Sequence, residues 1–580
     1  MTLLVTSRAP LAIRAEQIST VRPLPLPDAG ATVTLATAGG SPAVQLFVVR
    51  TRSAVPGFTL SESNAAKVVS ICRRLDGMPL AIELAAPRAR VMTLDQLLQQ
   101  LDRRLPLLTS GSRDLPSRQQ SLRANIAWSV DLLTREQQTL FRRLAVFAES
   151  FTLEAAVAVM GDAMAGAAPS PPIPVWSSAA VANGIAQLLD QSLLTRTEQP
   201  DGTPRFGMLE TIHEYADEQL EASGETREFR HRHLAWSLSL AEEAAPRLFT
   251  VDDDVWLQRL QDEDGNLRAA LDWALGPGDG PDVELGLRLC GALSDYWFLT
   301  ARLSEGRAWL IRAITRSADQ TPSPGRARSL IGACQIEQTR AAIAPALMYG
   351  ELGLAAAEAL GDRPGVGRAL LFLGNLAMMQ QRFPEAQAWH EQALVCFQQV
   401  GDQSWVALAL LNLGLDDYYL GDLDRAAVRA EEGLALARTT GNRWDTLNGL
   451  YVLGLVARAR GDFAAANALF GERIHLSWQF GSQRDIADSL SGFGAVAVAA
   501  GDRERGARFL GAAEALYRRL EISVPPPLWP DWFALTDAAR HDVSSADASP
   551  CWASSTIEQA VREALGSLPG SAPFLPPAVP

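Results

Sequence analysis

The chain has 580 residues, of which 47% are hydrophobic and 20% charged, and its formal net charge is −14. That composition describes folded domains with real cores, in a chain too long for one ordinary domain, and it argues against a broad phosphate-binding surface. Lys67 is the only lysine, and the five cysteines (Cys72, Cys290, Cys334, Cys396, Cys551) lie far apart with no Cys-x-x-Cys pair, a pattern of buried thiols rather than a disulfide framework or a zinc site.

Residues 2–7 form a short apolar run that reads as a buried strand ending in Thr6-Ser7-Arg8. No basic segment precedes an apolar core there, and no apolar run approaches the roughly 18 residues of a membrane span, so a cytoplasmic chain with no membrane partner is expected. The stretch to about residue 42, rich in Pro, Gly, Ala and Thr, reads as loop. Val44, Phe47 and Val48 open a helix. Ser61 is a good N-cap for the next, whose apolar face is Ala65, Val68, Val69, Cys72 and Leu75. Gly77 ends that helix, Pro79 starts another, and Leu94–Leu101 is a fourth.

Between residues 118 and 222, helices are predicted at 120–133, 135–147, 153–160 and 180–190. Leu193–Arg196 and Arg205–Met208 then flank the turn Pro200–Pro204 as a hairpin would. Helices followed by a hairpin are the winged-helix pattern, here with residues 166–177 as an inserted loop. Residues 223–320 read as helical, with Trp256, Trp273, Trp297 and Trp309 as packing anchors.

A period of forty residues follows. Leucine recurs at Leu330, Leu370, Leu410, Leu450 and Leu490, glycine at Gly361, Gly401, Gly441 and Gly481, and alanine at Ala346, Ala386, Ala426 and Ala466. A fixed period of this size means stacked supersecondary units, which present a long surface to a partner. Pairs such as Gly401-Asp402, Gly421-Asp422, Gly461-Asp462 and Gly501-Asp502 end one helix and cap the next. Gly374, Gly414, Gly454 and Gly494 let paired helices approach closely. The last segment holds one helical stretch, Thr556–Leu565, and a proline-rich end expected to be disordered.

Three motifs, taken in order, resemble one family. Thr6-Ser7-Arg8 follows an apolar strand, Gly77-Met78-Pro79-Leu80-Ala81-Ile82-Glu83-Leu84-Ala85-Ala86 opens a helix, and Met208-Leu209-Glu210-Thr211-Ile212-His213-Glu214-Tyr215-Ala216 closes the hairpin block. Arg118–Arg123, Phe141–Phe147 and Asn266–Trp273 add supporting phrases. Their order and spacing resemble the NB-ARC (STAND) signal-transduction ATPases, and most of all bacterial LuxR/AfsR-like regulators that join this switch to tetratricopeptide-type repeats.

The resemblance implies a mainly α fold in which an NB-ARC helical lid segment and a winged helix precede a tetratricopeptide-like α-solenoid. The implied division is a nucleotide-binding-domain remnant at 1–27, the lid segment at 28–117, the winged helix at 118–222, a helical connector at 223–329, repeats at 330–520, and a helix with a disordered tail at 521–580. It further implies that Arg8 would sense a nucleotide γ-phosphate and that Pro79 would pack near the adenine of ATP or ADP, bound with magnesium. Leu209 stands where the family usually offers a histidine to the ADP β-phosphate. A P-loop requires Gly-x-x-x-x-Gly-Lys-Ser/Thr. Lys67 has no glycine loop before it and the acidic magnesium-binding strand is missing, so the chain is expected to bind no nucleotide. A truncated gene, a split gene or a misplaced start would each account for this.

From the residues alone, Arg8 is a strand-end arginine and Gly77 with Pro79 an ordinary helix boundary. In His231-Arg232-His233 the two histidines point to different helix faces and suggest no metal. Asp262-Glu263-Asp264-Gly265 lacks calcium-loop spacing and reads as a solvated acidic turn. No nucleophile–base constellation is present, so no enzyme is expected. Arg118, Arg123, Arg135, Arg142 and Arg143 could face DNA, but the surrounding acidity disfavours direct DNA binding. The expected function is a STAND-type transcriptional or signalling regulator whose repeats bind a protein or small-molecule signal. A stand-alone repeat adaptor, or the regulatory part of a protein with a catalytic output domain, are the alternatives. Oligomeric state stays open.

Overall fold

The helix start and stop signals organise the architecture. A computed structural model describes residues 17, 21, 23–27, 33–101, 122–161, 176–277, 282–318, 321–519 and 557–566. The chain is mainly α, as its periodicity predicts. It divides into two compact units, one of residues 1–237 with 262–273 and one of 238–261 with 274–580. The strand predicted at residues 2–7, Arg8, the inserted loop up to residue 175 and Cys551 lie outside the described residues.

In the first unit, helices Leu35–Gly39, Pro42–Ala54, Glu62–Arg74, Pro79–Ala85 and Leu94–Gln100 come first. Phe47, Val68, Val69, Cys72, Ile82 and Leu97 are fully buried among them. Gly77 has φ +62° and donates its N–H to the Cys72 carbonyl at 3.1 Å. A Cβ on Gly77 would strike the Leu24 carbonyl, whose own N–H donates to Gly77 O at 2.9 Å, so backbone conformation and close approach both demand glycine. Pro79 then occupies the first helical turn, where a missing N–H costs nothing.

Helices Leu122–Asp131, Arg135–Arg143, Leu153–Met160, Ser178–Asp190 and Glu210–Ser223 follow, with strands β1 (Ser150–Phe151), β2 (Thr195–Glu198) and β3 (Pro204–Gly207). The sheet is antiparallel in the order β1-β3-β2, and Phe206 is opposite both Arg196 and Phe151. The hairpin β2–β3 falls where the turn signals place it. Strand β1 is too short to carry a period-two pattern and went unpredicted. Helix Asp264–Ala274 begins in this unit, and the acidic run ahead of it differs from expectation. Glu263 is not solvated: it is buried, pairs with Arg205 at 2.7 Å and accepts from Asn266 at 2.6 Å.

The second unit is built of six described helix pairs: Val283–Leu299 with Leu303–Arg316, Pro324–Thr339 with Ile343–Leu360, Arg363–Met379 with Phe383–Val400, Gln403–Leu420 with Leu423–Thr440, Arg443–Ala459 with Phe463–Gln479, and Gln483–Ala499 with Arg503–Arg519. The forty-residue step is one pair. The stacking begins earlier than the leucine series, at Val283: Ser329 Oγ donates to the Leu287 carbonyl at 2.8 Å, and Gly332 sits against Ser294. Breaks between pairs use the predicted chemistry. Gly401 has φ +74°, and the carboxylate of Asp402 accepts the Trp405 N–H at 3.3 Å. Ile557–Gly566 docks on the last pair, burying Ala560, Val561 and Ala564 beside Leu510 and Leu516.

Of the four tryptophans expected as anchors, only Trp297 is buried. Trp256, Trp273 and Trp309 are half-buried, with the guanidinium groups of Arg247, Arg230 and Arg312 over their rings. One described helix, Ile343–Leu360, is long and apolar enough to cross a membrane by length and composition, contrary to the reading from the sequence. Its small face packs inside the stack, with Gly350 against Leu373 and Cys334 and Gly353 against Ile331.

Candidate ligand-binding face of the repeats

Of the two site residues suggested by resemblance, only Pro79 is among the described residues. Arg8 lies outside them, and Pro79 is exposed. Lys67 is spent on an ion pair with Asp95 at 2.6 Å. Four cysteines are free and buried, and burial pushes the Cys72 and Cys334 thiols up to about 12, which leaves them un-ionised and inert. His233 is buried against the Phe147 ring, and burial lowers its pKa to about 4. Its neighbour Arg232 turns to the Gly161 carbonyl and Glu228.

Polar and aromatic side chains meet between the two helices of successive pairs. Trp405, half-buried at the start of Gln403–Leu420, stacks on Phe397 at 5.4 Å, and Phe372 meets its ring at 6.3 Å. The Arg368 guanidinium lies over the ring at 4.6 Å and is held by Asp295 at 2.9 Å, a carboxylate contributed from two pairs earlier. Arginine between a carboxylate and an indole is a stable, pre-oriented cation.

About two turns further along, Asn375 and Asn412 are half-buried and hydrogen-bonded to each other at 3.0 Å. Beneath them is a fully buried pair, His390 Nδ1 and Asp416 Oδ2 at 2.5 Å, and His390 Nε2 reaches Asn375 Oδ1 at 3.1 Å. His390 has room because residue 374 is glycine; a Cβ there would strike the imidazole. Burial raises the Asp416 pKa and its contact with His390 opposes the rise. The neighbouring Asp417 binds Arg429 at 3.0 Å and accepts from Gln387 at 2.6 Å. In the next pairs Tyr418 accepts from Arg458 at 2.9 Å, and buried Arg473 binds Asp485 at 2.7 Å. Asp445 is buried under Asn442, and burial raises its pKa to about 8.

Residues 365–439 match the family model for the tetratricopeptide repeat. The match spans the tetratricopeptide pairs that carry Trp405, Asn375 and Asn412. A protein of Mycobacterium tuberculosis (strain ATCC 25618 / H37Rv), whose name presents it as a candidate HTH-type transcriptional regulator, is 35% identical over 393 residues, covering 64% of this chain and 40% of that protein. An uncharacterised protein of Mycobacterium bovis is 32% identical over 225 residues, covering 39% of this chain and 51% of that one. The chain therefore spans about 40% of the length of the first of these relatives. Among solved structures, a signal transduction ATPase with numerous domains and a tetratricopeptide repeat sensor from Pyrococcus horikoshii has a TM-score of 0.34 at 13% identity, covering 86% of this chain and 74% of that one. A Rap protein complexed with competence and sporulation factor has a TM-score of 0.36 at 12% identity, covering 54% and 98%. Scores of that size carry no inference.

The chemistry gathered on these repeats is thus amide groups, an indole, and guanidinium groups paired with carboxylates of the chain itself. Reading the sequence for catalytic motifs missed these residues. The available signal was a lone polar residue in an apolar run, Gly374-Asn375-Leu376 and Leu411-Asn412-Leu413.

Proposed function

We propose that the chain is a signalling or transcriptional regulator whose tetratricopeptide repeats take up a protein segment as their signal, relayed through the helical and winged-helix region at 28–222. The observation that carries the reading is the pair of half-buried amides, Asn375 and Asn412, fixed from below by His390–Asp416. A buried polar network rigidifies its members, and the members at its upper end are the two amides. The relatives named as candidate regulators support the regulatory part. In the 118–222 block Arg142 and Arg143 are bonded to Glu225, and Arg123 to Glu218. Support here is for an intramolecular role rather than contact with DNA. No catalytic step is proposed.

A stand-alone adaptor is the second reading, favoured by the pairing of Lys67 with Asp95. Both readings put the ligand on the same face. A randomised decapeptide array probed with the full chain tests it. Selective spots are expected, and the folded Asn375→Ala and Asn412→Ala variants should each lose about 1–3 kcal/mol of affinity for them. An array with no selective spots, or spots indifferent to both substitutions, would refute the assignment.

A further inference from the structure

We propose that the repeat surface around Trp405 and Arg443 binds an aromatic–acidic peptide segment of a partner protein, and that residues 249–254 of the chain already sit there as a built-in competitor. The inference rests on the reading of the repeats as peptide-binding, and it names the chemistry of the peptide.

The segment Phe249-Thr250-Val251-Asp252-Asp253-Asp254 links the helix Thr226–Ala244 to Asp253–Asp262 and lies on repeat helices some 150–190 residues away in sequence. Phe249 meets the Trp405 ring edge-on at 6.4 Å. Val251 covers Gly441, where an added Cβ would collide with it. Asp253 bonds Arg443, with Nε to Oδ2 at 3.2 Å, and Asp254 reaches the same guanidinium at 2.6 Å. An aromatic ring, a close backbone passage and two carboxylates thus meet an indole, a glycine and an arginine in matching order.

Two features distinguish a displaceable occupant from a structural strap. The receiving groups are assembled without the segment: Trp405 is stacked on Phe397 under Arg368, and Arg443 lies over the Phe480 ring at 4.7 Å. The segment is held at Phe249, which is half-buried, and at Asp253, whose side chain is 14% exposed, while Val251 is 73% exposed and the Asp254 side chain 76%. A strap held for stability would bury its valine. Two anchored side chains on pre-formed partners, with the chain between them in water, are strong enough to occupy a site and weak enough to leave it when a competing peptide arrives.

The test uses the full chain and a fluorescein-labelled peptide of residues 247–256. In wild type the site is occupied. Vacating it with Phe249→Ala/Asp253→Asn/Asp254→Asn should tighten binding of the peptide by about tenfold or more, equal to about 1.4 kcal/mol. Adding Arg443→Gln to the vacated chain should abolish that gain. A vacated chain that binds no more tightly than wild type, or whose binding ignores Arg443→Gln, overturns the proposal. Should the triple variant fail to fold, hydrogen exchange on the single variant Arg443→Gln decides. Exchange at 248–256 is expected to rise about tenfold or more with Phe383–Val400 unchanged, and an unaltered rate at 248–256 overturns the proposal. Selective array binding with no binding of the 247–256 peptide defeats this inference alone, whereas failure of both defeats the peptide-binding reading as well.

Discussion

Glu263 ties helix Asp264–Ala274 to the three-stranded sheet. Its carboxylate receives Arg205 Nη1 at 2.7 Å and Asn266 Nδ2 at 2.6 Å, while Arg205 Nη2 and Asn266 Nδ2 both also donate to the Ser150 carbonyl. Asn266 Oδ1 accepts the Ala148 N–H at 3.0 Å. The two charged side chains are only 7% and 5% exposed. Burial pushes the Glu263 pKa up, and Arg205 and Asn266 oppose the rise. Removing one partner of such a pair strands the other charge, a loss of about 3–5 kcal/mol, whereas replacing both with apolar groups of similar size recovers most of it. Arg205→Ala should therefore lower the unfolding free energy of the first unit, read by urea denaturation, by that order, and Arg205→Met/Glu263→Leu should restore much of it. A single variant within about 1 kcal/mol of wild type would show the pair to be solvated after all. The sequence alone read Asp262–Gly265 as a wet acidic turn, because a run of carboxylates beside glycine has that local character. Its true partner is 58 residues away, a distance that no periodicity registers.

Local signals served better for whole elements. The repeat helices, their glycine C-caps and their aspartate N-caps were legible because each depends on residues within one turn of the chain. Strand β1, two residues long, and the docking of residues 249–254 were not, since both are fixed only by tertiary contact. The glycines inside the repeat helices were legible in role but not in partner. Gly454 lies under the Phe470 ring, where a new Cβ would be 2.7 Å from Cε1, and Gly492 meets the same ring at 2.7 Å. Alanine at 454 gains up to about 1 kcal/mol in helix propensity. Forcing the ring aside costs about 1–3 kcal/mol, and the ring is completely buried, so overpacking wins. Gly454→Ala should destabilise the repeats by about 1–2 kcal/mol in chemical denaturation, with partial recovery when Phe470→Leu is added. A stabilised Gly454→Ala would mean that the helices can separate without loss, and the close-approach role of the 374, 414, 454 and 494 series would fall.

At the scale of the whole molecule the open question is nucleotide. Cradling a triphosphate takes backbone amides from a glycine loop, a lysine among the β- and γ-phosphates, and carboxylates for magnesium. The only lysine of the 580 residues is engaged with Asp95, and the net charge of −14 repels a polyanion. Arginines near the helical block cannot substitute freely, since Arg142 and Arg143 are already bonded to Glu225. Calorimetric titration of the full chain with ADP and with ATP–magnesium should therefore show no binding up to about millimolar, or about −4 kcal/mol. That outcome would make the repeats the functional part of this chain and would leave relay to changes in contact rather than in nucleotide state. Micromolar binding would instead require a site assembled without a P-loop. Arg8→Ala and Pro79→Ala would then identify it: a site of the kind the NB-ARC resemblance implies loses affinity with both, and one elsewhere with neither.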